Sequence, residues 1–282
     1  MNWRSLLFVP VLAERFVAGA AQRGADAVVL DLEASVPQAR KAEARDVLPD
    51  VVARLADEVA VTVRVNSWAD GGPLDVEACV MPGVAALHLA RCETAAEVAA
   101  LDARMTELER ARGLPEGAIR LVPMIESAAA LTRAPEIAQA APRVAALTLG
   151  VEDFATSMGA PPSTNLLRPA VYQLAVAARA AGCVPLAVPA GMADYRDLDT
   201  LEQAARYARG IGCTGGFAVH PGQIAVLNAV FAPTAEEIAW AQSVVAAAEA
   251  APAEAVLKVD GQMIDAPLIT RARAILQRAG AA

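Results

Sequence analysis

The chain has 282 residues, of which 56% are apolar and 4% aromatic, and it carries a formal net charge of −8. That length suits one large α/β domain or two small ones, and the acidic balance excludes a nucleic-acid binder, which needs clustered Lys and Arg against the phosphates. No apolar run reaches the ~20 residues of a membrane span, the N-terminus lacks the pattern of a signal peptide, and Cys79, Cys92, Cys183 and Cys213 form no C-x-x-C pair, so a cytoplasmic protein with four reduced thiols and no zinc site is expected.

Eight short apolar runs punctuate the chain, and each ends in a polar residue or a proline. The first two are RSLLFVP (4–10) and AVVLDLE (27–33). A charged amphipathic helix is predicted over 38–56, then VTVRVN (61–66), a loop at Gly71-Gly72-Pro73, and ALHLAR (86–91). Over 95–112, Val98, Leu101, Met105 and Leu108 make one apolar helical stripe, with Thr94 and Glu97 as a capping box. RLVPMIE (120–126), a helix over 127–140, VAALTLGVED (144–153) and a helix over 169–181 follow. VPLAVP (184–189), a helix over 198–210 and GGFAVHP (215–221) complete the series, with Gly182 and Gly212 where helix C-caps belong.

Strand and helix alternate, which predicts βαβ units and a parallel sheet. Eight strands fit a closed (β/α)8 barrel over residues 1–232 better than an open sheet. Residues 233–282 depart from the pattern. A helix over 234–250, a β-like piece at 256–259, a turn at Asp260-Gly261 and a last helix to about 278 read as a helix–hairpin–helix arm. Such an arm either packs on its own barrel or reaches a neighbouring subunit.

A parallel barrel puts the carboxyl ends of all its strands on one rim, where barrel enzymes do their chemistry. Asp31, Glu33, Arg64, Glu126, Asp153 and His220 would converge there. Glu126 and Asp153 end neighbouring strands, and two carboxylates so placed raise each other's pKa unless a cation lies between them. A hard divalent ion with oxygen ligands, Mg²⁺ or Mn²⁺, is the simple solution; the alternative is that both acids merely cap helices. Asp31 and Glu33 share one strand face and either hold metal-bound waters or pair with an arginine. Arg64, flanked by valines, must be paired, either with a barrel carboxylate or with a substrate carboxylate or enolate oxygen. His88 reads as structural, and His220 is a weak claimant. No dinucleotide, P-loop or G-x-S-x-G motif is present.

RSLLFVP, VVLDLE, VRVN, the I-E strand end, G-x-E-D-F, H-P-x-Q and GQMIDAP occur together in this order. In this the chain resembles the HpcH/HpaI aldolase and citrate lyase β-subunit-like family, from about residue 4 to 274. The resemblance implies a (β/α)8 barrel that binds Mg²⁺ and cleaves or forms C–C bonds in citryl-, malyl- or citramalyl-type thioesters of CoA or an acyl carrier. It assigns Glu126 and Asp153 to the metal and Arg64 to the 2-oxo acid. Asp265 becomes the acid that the arm brings to an adjoining subunit's site, which implies a homo-oligomer, a trimer. Arg4, Arg15 and Arg91 are candidate contacts for a CoA phosphate. Departures from the family's pattern include Val11, Ala34 and the run Ala90-Arg91-Cys92-Glu93. Three rival functions stand beside the lyase: a pyruvate-type class II aldolase with His220 as base, a malyl-CoA thioesterase, and a non-catalytic subunit of a citrate lyase complex.

Overall fold

The computed structural model describes residues 2–191, 194–252 and 254–280. It divides into two compact units, residues 3–230 and the chain from Phe231 onward. The first unit runs β1 (Ser5–Pro10), α1 (Glu14–Val17), β2 (Ala27–Asp31), α2 (Lys41–Leu55), β3 (Ala60–Val65), α3 (Gly72–Cys79), β4 (Val84–Leu89), α4 (Ala95–Ala111) and β5 (Arg120–Ile125). It continues with α5 (Ala128–Thr132), α6 (Ala134–Ala138), β6 (Ala146–Leu149), α7 (Val151–Ser157), α8 (Thr164–Ala180), β7 (Val184–Pro185), α9 (Leu198–Gly210), β8 (Gly216–Ala218) and α10 (Ile224–Phe231).

All pairings among these eight strands are parallel, and their spatial order is β7-β6-β5-β4-β3-β2-β1-β8. A parallel bridge between Leu186 and Gly215 joins the two ends of that order, so the sheet closes on itself. The approach is tight: a Cβ on Gly215 would lie 2.1 Å from the Trp3 carbonyl oxygen. The interior is filled by side chains from around the ring, among them Leu6, Val29, Ala86, Val122, Ala146, Leu186 and Phe217. It is a packed core rather than a pore, as expected for an eight-stranded barrel.

The helices follow their local chemistry. Thr94 and Glu97 form the expected capping box on α4, and Val98, Leu101, Met105 and Leu108 are its buried stripe. Gly182 and Gly212 have φ of 76° and 99°, the left-handed conformation that a helix C-terminus requires. Three local expectations are corrected. Gly71-Gly72-Pro73 opens α3 rather than forming a loop: Gly71 is its N-cap and Pro73 stands in its first turn, where a missing N–H costs nothing. The segment 127–140 is two short helices that meet at Arg133, with Pro135 in the first turn of the second. Helix α8 starts before Pro169, because the Ser163 hydroxyl caps it at the Leu166 N–H.

The second unit contains α11 (Ala235–Ala250), β9 (Leu257–Val259), β10 (Gln262–Ile264) and α12 (Ala266–Ala279). The strands pair antiparallel across Asp260-Gly261, whose φ values of 48° and 80° are what a two-residue hairpin turn demands. Ala241, Val244, Ile264, Ala272, Ile275 and Leu276 form its core. Among the described residues, no helix is long and apolar enough to cross a membrane. The four cysteines are free and buried, and burial pushes the thiols of Cys92 and Cys213 up to about 12.

Candidate active site

Glu126 is the first residue beyond β5 and is 6% exposed. Its neighbour is set by the sheet: Ile125 pairs with Leu149, and the Gly150 N–H donates to the Ile125 carbonyl at 2.9 Å. Gly150 therefore lies directly against the Glu126 side chain. Three residues on, Asp153 stands in the first turn of α7. Neither acid is a helix N-cap. Ser127 caps α5 through its hydroxyl, and the N-cap position of α7 is Gly150, which has no side chain to offer. Burial pushes the Glu126 carboxyl up to about 8, with the negative charges of Asp153 and Glu33 adding to the shift. The charge of Arg64 and a backbone hydrogen bond from Arg91 pull it the other way.

Arg64 and Asp31 occupy paired positions on β3 and β2. The Arg64 Nε donates to Asp31 Oδ1 at 2.7 Å and a terminal nitrogen donates to Oδ2 at 2.8 Å. The other terminal nitrogen is 3.3 Å from a Glu33 oxygen. The ring of Phe8 lies 4.6 Å from the guanidinium carbon and supports one face. Asp31 also accepts from the Glu33 and Ser35 N–H groups, both at 2.9 Å. Of the two readings open for Asp31, the arginine partner is the one present, with two backbone N–H donors beside it. Burial works against its ionisation, yet Arg64, Ser35 and the Glu33 N–H hold its carboxyl below the usual range. Glu33 is likewise paired with arginines, and it is the member of the two whose charge reaches Glu126.

Beneath this layer lies a buried polar staple. The Lys41 ammonium donates to the Leu32 carbonyl at 2.6 Å, to the Glu33 carbonyl at 2.6 Å and to Asn66 Oδ1 at 2.8 Å. Asn66 donates in turn to the Leu32 carbonyl and to Asp75, and Asp75 is paired with Arg45. Sequence reasoning passed over Lys41 because it sits in a charged helix. The signal available was Asn66, a polar amide closing a strand of valines.

The remaining candidates separate. Arg91 follows β4 with a φ of 48°, fixed because the N–H groups on either side of it bond to Val65 and Met124 carbonyls in neighbouring strands. Its guanidinium lies 2.9 Å from Asp70 and 3.8 Å from Glu33. Arg15, on the helix after β1, lies over Phe16 at 4.5 Å. Arg4 is corrected. It precedes β1 and makes a two-point contact with Asp26, so it belongs to the amino end of the sheet, opposite the rim. His220 caps a short turn, its Nδ1 accepting from the Gly222 N–H at 3.1 Å. His88 is fully buried with Nε2 3.0 Å from the Thr62 hydroxyl, and burial lowers its pKa to about 3, so it stays neutral. Asp265, in the second unit, caps α12 at the Leu268 N–H.

The donor set fits a hard divalent ion. Arg45 is paired with Asp75, Arg64 with Asp31 and Glu33, and Arg91 with Asp70, while the Lys41 ammonium is spent on two backbone carbonyls and the Asn66 amide oxygen. Glu126 and Asp153 are left over as two mutually repelling acids, which a divalent charge would balance. Among the described residues no three His, Cys, Asp or Glu side chains are grouped as a metal site. A two-carboxylate site with the other positions given to water and substrate is what Mg²⁺ commonly takes.

Fold and site together define an enzyme of the parallel-barrel class, with a buried glutamate beside an exposed aspartate and an oriented arginine on the carboxyl rim. The family model described as HpcH/HpaI aldolase/citrate lyase matches residues 4–221, and the chain belongs to that family. It is 35% identical to citrate lyase subunit beta of Escherichia coli (strain K12), over 98% of this chain and 93% of that protein. It is 31% identical to L-malyl-CoA/beta-methylmalyl-CoA lyase of Cereibacter sphaeroides (strain ATCC 17025 / ATH 2.4.3), over 96% and 91%. The crystal structure of protein CitE from Mycobacterium tuberculosis with magnesium, acetoacetate and coenzyme A has a TM-score of 0.73 at 29% identity, covering 98% of this chain and 97% of that one. Within its family the chain is a carbon–carbon lyase of the citrate lyase β-subunit-like kind.

Proposed function

We propose that the chain is a Mg²⁺-dependent lyase that cleaves or forms a 3-hydroxyacyl thioester of the citryl-, malyl- or citramalyl-CoA type, with a 2-oxo acid and an acyl thioester on the other side of the reaction. The observation that carries this is the unbalanced pair Glu126 and Asp153, in a chain whose relatives include a malyl-CoA lyase and a structure holding magnesium and coenzyme A.

Glu126 and Asp153 would hold the ion. When bound, it supplies Lewis acidity to the hydroxyl and carboxylate oxygens at the 2-hydroxy-acid end of the substrate. The protein's own groups do the rest. Of the five N–H donors of Arg64, two are engaged by Asp31 and one faces Glu33. The remainder are available to a substrate oxygen, and the bidentate hold of Asp31 fixes their direction before substrate arrives. As the hydroxyl gives its proton to solvent water and becomes a carbonyl, the electron pair of the breaking C–C bond passes to the thioester enolate, and a low-dielectric rim strengthens any donor aimed at that negative charge. An acid must then protonate the enolate carbon. Asp265, presented by the arm of a neighbouring copy, takes that role in a homo-oligomer, a trimer. Arg91 and Arg15, on the rim, are the contacts for the anionic carrier.

A panel of citryl-, malyl- and citramalyl-CoA esters with Mg²⁺ tests the proposal, with release of the 2-oxo acid as readout. Activity on one ester, abolished in Asp153→Ala, is the expected result. Free CoA with an intact hydroxy acid would instead identify a thioesterase. Because the Escherichia coli relative is a subunit of citrate lyase, an acyl-carrier thioester is the second carrier to assay. No turnover on either carrier by a folded, Mg²⁺-binding protein would favour a non-catalytic subunit.

A further inference from the structure

We propose that Lys41 is a positioning residue for the rim: its ammonium staples the end of β2 to the end of β3 and so sets Glu33 and Arg64 in their working geometry. The inference rests on the lyase reading above.

Lys41 is 8% exposed, although a lysine ammonium is costly to bury unless its protons are all bonded. It has three N–H donors, and the structure gives it three short acceptors: the Leu32 carbonyl, the Glu33 carbonyl and Asn66 Oδ1. Two of these belong to the segment that follows β2, and the third to the residue that follows β3. The same two segments carry the ion pairs of the site, Asp31 and Glu33 from one and Arg64 from the other. The Leu32 N–H already bonds the Arg64 carbonyl, and the Asn66 amide donates to the Leu32 carbonyl. Lys41 therefore closes a ring of hydrogen bonds around the point where the two strands separate.

The charge matters as much as the bonds. Burial lowers the Lys41 pKa, opposed by the charges of Glu33, Asp75 and Asp31. A neutral side chain of the same length would leave the Leu32 and Glu33 carbonyls short of a donor and the acid cluster short of a cation. Arg64 would then answer to Asp31 and Glu33 with only the more distant Arg91 beside it, and its direction toward substrate would loosen. Lys41 touches neither Glu126 nor Asp153, so its contribution is to the orientation of Arg64 and Glu33 and not to ion binding.

Lys41→Met keeps an unbranched apolar stem, one heavy atom shorter, and removes the donors. It is compared with wild type and with Leu48→Ala, a core variant of the same helix, each assayed well below its melting temperature on the ester that wild type cleaves. The expected result is a kcat at least about tenfold lower in Lys41→Met, with KM and the Mg²⁺ Kd from calorimetry within about threefold. Leu48→Ala should lose thermal stability and keep kcat within about twofold. If Lys41→Met does not fold, Lys41→Gln, which keeps a polar side chain and removes the charge, is read in the same way. A kcat within twofold of wild type, or a tenfold loss of Mg²⁺ affinity, would overturn the assignment of Lys41 and leave the lyase reading standing. A wild type that cleaves no ester overturns both.

Discussion

Glu126 lies where Gly150 has no side chain. A Cβ at position 150 would come within 2.6 Å of Glu126 Cγ and 2.8 Å of its Oε1. The φ of Gly150 is −81°, which any residue can adopt. Glycine is therefore required here for space and not for backbone freedom. The side chain missing at Gly150, between β6 and α7, is what lets a buried carboxylate stand beside the start of that helix.

Gly150→Ala should displace Glu126 from Asp153. Overpacking of this kind costs about 1–3 kcal/mol of stability, and displacing one of the two proposed ligands should weaken Mg²⁺ at least about tenfold. Calorimetric titration of Mg²⁺ and a urea melt of the metal-free protein measure both. Unchanged Mg²⁺ affinity would show that Glu126 is not a ligand.

Metal binding should depend on pH through Glu126. Its pKa, raised from the usual 4.5 to about 8, means that the metal-free fold holds a proton there at neutral pH. An acid raised on folding adds stability that is complete below about 4.5 and is lost as pH climbs through about 8. The metal-free protein should lose this contribution across that window, and Glu126→Gln should remove that part of the slope. Mg²⁺ must displace the proton, so its affinity should rise with pH up to about 8. Below that pH, titrations in buffers of different ionisation enthalpy should report a proton released on binding.

Arg64→Lys should keep the charge and lose the function. A lysine cannot hold Asp31 at two points and still present donors in a fixed direction. A fall in kcat of about tenfold or more is expected, with a smaller change in KM. Steady-state kinetics on the ester that wild type turns over decide it, and equal kcat for the two proteins would remove Arg64 from the charge-stabilising role.

Arg143 provides the contrast. It is 3% exposed, bonds both Glu109 oxygens at 2.9 Å, and contacts the Ile119 carbonyl, Thr106 and Asp102. Its partners lie on α4 and just before β5, at the amino end of the barrel. Arg143→Met should cost about 3–5 kcal/mol, because Glu109 is left as an unpaired buried charge. Below its melting temperature the variant should keep wild-type kcat. A selective loss of kcat would mean that the two ends of the barrel are coupled.

Asp265 tests the arm. If it serves a neighbouring copy, Asp265→Asn and Asp153→Ala homo-oligomers should each be inactive, whereas subunits mixed by co-refolding should regain a fraction of wild-type turnover. No recovery in mixed oligomers would place the arm on its own barrel or outside the reaction.

Much of this was legible in the amino-acid order. Alternating apolar runs and amphipathic stretches announced a parallel barrel, because a strand covered on both faces must be apolar along its length. Thr94 with Glu97, Gly182, Gly212 and Asp260-Gly261 marked their caps and turn, since each is a local demand of the backbone met by one or two adjacent residues. Glu126 and Asp153 were visible as strand-end acids because the barrel topology itself brings strand ends together. What the order of residues left open was partnership between segments remote in sequence. Asp31 could hold water or an arginine until four donors were seen around it. Arg4 looked like Arg91 until the register put it at the opposite end of the sheet. Lys41 looked like solvent-facing charge until three carbonyl oxygens were found on its ammonium. Hydrogen bonds across 25 or 33 positions, as between Lys41 and Asn66 or Arg64 and Asp31, depend on where two strands stop relative to each other. No local pattern encodes that distance; only the closed sheet does.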